Sequence, residues 1–115
     1  MITGVHTMYY SSAAEELRTF FADKLGFPAT DVGGGWLIFS LPPAELGCHP
    51  SGETEGSKSG TADISFICDD IYATVADLRS KGVDFVGDVE DHGYGLVTFF
   101  NAPGDFKIQL YQAKY

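Results

Sequence analysis

Cations are scarce in this 115-residue chain: seven Lys and Arg stand against sixteen Asp and Glu, for a formal net charge of −9. A nucleic-acid partner needs a basic footprint to displace counterions, so DNA and RNA are not expected partners. Long hydrophobic runs are also missing. No apolar stretch approaches the roughly 18–20 residues of a membrane span, so no membrane partner is expected. Met1 to His6 has no basic region followed by an apolar core, and no signal peptide is read there. Only two cysteines occur, Cys48 and Cys68, each inside an apolar strand-like run. They read as buried thiols rather than a disulfide, which suits a cytoplasmic location. No Ser-His-Asp triad, Cys-His pair or zinc-finger spacing is present. Gly33, Gly34 and Gly35 lack the Lys and Ser/Thr of a phosphate-binding loop.

What remains is ordinary globular material, 44% hydrophobic and 20% charged, enough for one domain with its own core. The chain also reads as if written twice. Residues 35–49 lie over residues 95–109 without a gap. Gly35 falls over Gly95, Phe39 over Phe99, Pro43 over Pro103, Glu45 over Asp105 and His49 over Gln109; every offset is 60, as in 95 − 35. Two copies of one supersecondary unit bury a face that neither buries alone, and equivalent residues then approach a common axis.

Each half predicts the same order of elements. Val5–Tyr10 reads as a strand, and Ser11 or Ser12 caps a helix with Glu15 completing a capping box. Leu17, Phe20, Phe21 and Leu25 fall at helical spacing, and Gly26 closes that helix. A weak strand over Phe27–Gly35, a strong one over Trp36–Leu41, a turn at Pro42 and Pro43 and a short strand at Glu45–His49 follow. The second half repeats this with a strand at Ala62–Cys68, a helix at Ile71–Lys81 and strands at Val83–Val86, Leu96–Phe100 and Phe106–Tyr111. Asp88–Gly95 reads as a polar loop. The expected fold is α+β, two tandem βαβββ modules: module one over about 1–50, a Gly- and Ser-rich linker at 51–60, and module two over about 61–115.

Three marks carry a family resemblance. His6 is followed by the aromatic pair Phe20-Phe21 and by Leu25-Gly26-Phe27; Asp69-Asp70-Ile71 opens a helix that Gly82-Val83 closes; Phe99 to Gly104 leads through a turn into Ile108 to Tyr111. With the paired βαβββ units, the chain resembles the vicinal oxygen chelate superfamily, which includes glyoxalase I, extradiol dioxygenases and bleomycin- or fosfomycin-resistance proteins. The resemblance implies a curved mixed sheet around a cavity, with helices on its convex face. It also implies a divalent metal (Zn, Fe, Mn or Ni) held by one residue from each of four strands. Those positions are His6, His49, Asp63 and Gln109. Asp63 stands where His is usual and Gln109 where Glu is usual.

Strand alternation gives a reading independent of the family. Asp63, Ser65 and Ile67 share one face; Lys107, Gln109 and Tyr111 share another, opposite Phe106, Ile108 and Leu110. The polar faces suit a cavity and the apolar ones a helix-covered core. Two imidazoles, a carboxylate and an amide oxygen form a set that borderline divalent ions accept. Glu45 and Asp63 are candidate proton shuttles. Met8, Tyr10, Trp36, Phe100 and Tyr111, with Ser65 and Lys107, are candidates to line a small-molecule pocket. Two functions follow. One is a metal-dependent lyase, isomerase or dioxygenase acting on a small oxygenated molecule. The other is a metal-free protein that sequesters a drug or metabolite. A homodimer is expected, because an open curved sheet leaves edges uncovered.

Overall fold

The computed structural model describes residues 7–9, 11–41, 43–44, 52, 58–59 and 62–115. The expected strand at Glu45–His49 and most of the linker lie outside the described residues. Among the described residues, two helices and six strands follow in chain order: α1 (Ala14–Asp23), β1 (Ala29–Asp31), β2 (Leu37–Phe39), β3 (Ser65–Ile67), α2 (Ile71–Ser80), β4 (Phe85–Asp91), β5 (Gly95–Ala102) and β6 (Phe106–Ala113). The α+β class expected from the sequence holds, and the second half is a full βαβββ unit. Its sheet runs β3-β6-β5-β4, with β3 parallel to β6 and the other pairings antiparallel. β1 and β2 form a separate antiparallel pair.

α2 shows why this sequence makes a helix of this length. Asp70 lies in extended backbone at the N-cap, and its carboxylate accepts from the Ala73 N–H at 3.1 Å. At the other end Gly82 takes φ +86, so its N–H reaches the Arg79 carbonyl and the Val83 N–H reaches that of Leu78. That is a Schellman close, and buried Val83 and Leu78 supply its apolar contact. Ile71, Val75 and Leu78, at i, i+4 and i+7, are the buried stripe.

α1 departs from expectation at its start. The helix begins at Ala14 with Ala13 as N-cap and no side-chain cap, so the Ser12–Glu15 capping box does not form. Ser11 is occupied elsewhere. Its Oγ accepts from the Ala13 N–H at 3.0 Å and donates to the Pro103 carbonyl at 2.9 Å. A long-range bond to the β5–β6 turn replaces a local cap and ties α1 to the second half.

The core lies between the helices and one face of the four-stranded sheet. Leu17 and Phe21 of α1 meet the buried stripe of α2 over Phe100, Ile108 and Leu110. Phe21 is the hub of the first half, with Phe27, Phe39 and Phe66 rings at 5.7, 5.6 and 5.8 Å. Tyr9 joins this layer against Phe106 at 5.5 Å, and its hydroxyl donates to the Ile64 carbonyl. Burial, helped by the Asp63 charge, pushes the Tyr9 hydroxyl up to about 12.

A further expectation is corrected here. The polar stretch after Val86 is not loop throughout: β4 continues to Asp91. Val86 pairs with Phe99 and Glu90 with Val97, so four steps along β4 match two along β5. This bulge, with Gly87 at φ +75, lets acidic residues sit on a strand while Val89 still turns in to the core. Phe39 packs into the core, whereas its counterpart Phe99 lies on the opposite side of the sheet and is exposed.

Candidate functional site

β5 and β6 sort their side chains by parity. Thr98, Phe100, Ile108 and Leu110 face the helices, and Gln112 does too, since its Oε1 accepts from the Ile71 N–H at 2.8 Å. Val97, Phe99 and Asn101, with Lys107, Gln109 and Tyr111, therefore occupy the other face. Two cross-strand rows organise this open face. Ser65 pairs with Gln109, Gln109 with Phe99, and Phe99 with Val86; one step along, Ile67 pairs with Tyr111, Tyr111 with Val97, and Val97 with Glu90.

The open face is largely apolar and partly uncovered. Phe99 is 37% exposed and Ile67 47%, with Val86 beside them also exposed. Ser65 and Gln109 bring a hydroxyl and an amide to the same row, and Lys107 stands two residues from Gln109. Lys107 itself is exposed. Its neighbour Asn101 is engaged, donating to the Asp84 carboxylate at 2.8 Å. Tyr111 is buried at the edge of this face: its ring lies where a Cβ on Gly95 would stand, and the Tyr94 ring covers it at 5.9 Å. Tyr94 belongs to the β4–β5 turn, where His92 meets the Glu90 carboxylate at 3.0 Å.

The sequence candidates thus separate. Ser65, Lys107, Gln109 and Tyr111 share the open face, and Asp63 lies exposed two residues upstream of Ser65. Phe100 does not belong there. It is 0% exposed in the core, because even-numbered residues of β5 point to the helices. Trp36 is half exposed beneath the Arg18 guanidinium of α1, 4.8 Å from its ring centre. Met8 is exposed. His6, Tyr10, Glu45 and His49 lie outside the described residues, as does Cys48. Cys68 is a free, half-buried thiol, pushed up by burial.

Sequence reasoning did not single out Phe99 or Val86, and it set Ile67 on the Ser65 face without making it a site candidate. The signal was present for Phe99. The Pro103–Asp105 turn, with Asp105 at φ +63, closes a hairpin in which Ala102 faces Phe106, and that register sets Phe99 opposite Gln109.

The metal expectation can be weighed against the donors at hand. Asp63 and Gln109 offer one carboxylate and one amide oxygen, and the residue two steps from Gln109 on its own face is the cation Lys107. Among the described residues no group of three His, Cys, Asp or Glu gathers. A protein site for a borderline ion ordinarily needs three or four such donors. The described residues alone therefore do not fit an ion.

Comparison with known proteins places this geometry. The chain is 30% identical over 98 residues to the uncharacterized protein YetH of Bacillus subtilis (strain 168), covering 79% of this chain and 82% of that one. Its fold is similar to the antibiotic binding protein TnmS3 from Streptomyces sp. CB03234, with a TM-score of 0.62, 21% identity and coverage of 99% and 100% of the two chains. A glyoxalase/bleomycin resistance protein/dioxygenase superfamily member from Sphaerobacter thermophilus DSM 20745 gives a TM-score of 0.62 at 24% identity, covering 96% and 98%. The family model for that superfamily matches residues 4–110. Over nearly its whole length, the chain belongs to the glyoxalase/bleomycin resistance protein/dioxygenase superfamily.

Proposed function

We propose that this protein binds and sequesters a small, largely aromatic molecule on the open face of its four-stranded sheet. The observation that carries this reading is Phe99. A large apolar ring is left 37% exposed at the middle of the face, between the amide of Gln109 and Val86. An apolar floor with a few placed polar groups is the usual make-up of a small-molecule site. Gln109 and Ser65 supply hydrogen bonds there, and Lys107 supplies a cation at the margin. The likeness to an antibiotic binding protein supports the same direction.

Isothermal titration of the full chain with a panel of aromatic antibiotics tests the proposal. A saturable heat near one ligand per chain, weakened at least tenfold in Phe99→Asp with unchanged folding, is the expected result. Absence of any heat across the panel contradicts it.

The second reading is a metal-dependent enzyme of the glyoxalase or dioxygenase type, using His6, His49, Asp63 and Gln109. Gln109 on the open face, with Asp63 in the segment leading into its neighbouring strand, is what favours it. About one tightly held divalent ion per purified chain, lost in His6→Ala and in His49→Ala, would establish that reading over the first. A cytoplasmic homodimer completes the proposal. Light scattering that returns a clean monomer would remove the dimer from it.

A further inference from the structure

The β4 bulge has a second effect, on the helix side of the sheet. Gly87, Asp88 and Val89 arch over a single residue of β5, Thr98, because the register steps by four on one strand and two on the other. Beneath the arch, between β4 and α2, lies a cavity of about 320 Å³. That is within the lower range of small-molecule pockets. Tyr72, Val75 and Ala76 of α2 form one wall and Val89 the other.

The floor is polar where it should be apolar. Thr98 stands among Leu96, Phe100 and Ala102 on the core side of β5, and it is only 3% exposed. It is the buried polar side chain among the described residues. Its hydroxyl makes no hydrogen bond to a described residue. Yet no enclosed polar side-chain atom among those residues lacks a partner, so this hydroxyl opens onto the cavity it lines. A hydroxyl held in that position, without a protein partner, gains from one supplied by a ligand.

The mouth carries one charge of each sign. Arg79 is held over the Phe85 ring at 5.6 Å, and Asp88 stands on the bulge. A balanced rim selects neither an anion nor a cation. We propose that this cavity is a second ligand site, separate from the open face, for a small neutral molecule whose hydroxyl pairs with Thr98.

NMR titration of the full chain with phenol tests this. Saturable shifts at the amides of Ala76, Gly87, Val89 and Thr98 are expected. Thr98→Val, nearly the same shape, should weaken binding about tenfold, the scale of one lost hydrogen bond. Thr98→Ser should retain it. Ala76→Phe places a ring in the mouth and should abolish it, and benzene should bind wild type no better than phenol binds Thr98→Val. Shifts that never saturate, or that fall on Ser65, Phe99 and Gln109 instead, would overturn the proposal. So would a Thr98→Val chain that binds phenol as well as wild type does.

Discussion

Phe99 and Phe100 carry the same side chain one residue apart, yet β5 sends them to opposite environments. Phe100 is fully enclosed, touching Phe20 of α1 at 6.1 Å and Phe85 of β4 at 5.6 Å. Phe99 keeps 37% of its surface in solvent on the far side. Nothing in residue type separates them; the pleat does. One face of the sheet is where the helices bury their stripes, and the other is left partly uncovered. The proposed function would then divide stability and binding between alternate residues of one strand.

The widest contrast is the pair itself. Phe100→Ala should cost about 3–5 kcal/mol in urea unfolding, the range for a buried aromatic replaced by Ala. Phe99→Ala should change stability by less than about 1 kcal/mol while losing ligand affinity. Equal losses from the two would break the comparison, making Phe99 a core residue. Next comes Gly95→Ala, at the covered end of the open face. Its Cβ would run into the Tyr111 ring and stand 2.7 Å from the Gln112 carbonyl oxygen, so a cost of about 1–3 kcal/mol is expected. A neutral outcome would show that Tyr111 is freely displaced and that the open face extends further.

A smaller effect belongs to the helix side. Asp70→Ala removes the α2 N-cap and should cost about 1 kcal/mol, with Asp70→Ser recovering most of it. The last prediction concerns pH. Tyr9 is held neutral in the fold, its hydroxyl pushed up to about 12, while an unfolded tyrosine ionises near 10. The stability this contributes is whole below pH of about 10 and falls away as pH rises toward about 12. Tyr9→Phe should lose that part of the pH dependence in denaturation measured across the window. An unchanged slope would mean that Tyr9 is solvated rather than packed against Phe106.

The sequence made both ends of α2 legible, because Asp70 and Gly82 are local start and stop signals that agree. β5 and β6 were legible from alternation for the same reason. β4 was not. Asp88, Glu90 and Asp91 look like loop, yet all three are exposed along a strand whose register the bulge interrupts. The α1 cap failed on a long-range contact: Ser11 bonds to Pro103, 92 residues away, and no local motif encodes that choice. Alternation put Lys107, Gln109 and Tyr111 on one side of their strand, and the β3–β6 register sets Ser65 beside Gln109. Phe100 was chosen as a pocket candidate by residue type alone, and the hairpin register turns it into the core. A constant offset of 60 does not by itself say which face a side chain takes.

The most direct test of the open face as the ligand-binding surface is amide-shift mapping with a molecule from the antibiotic panel that gives a titration heat. The account predicts that the largest shifts gather at Ser65, Ile67, Phe99, Lys107 and Gln109, and that Phe99→Asp abolishes them. Shifts centred on the helix side of β5, with the Phe99 and Gln109 amides unmoved, would contradict it.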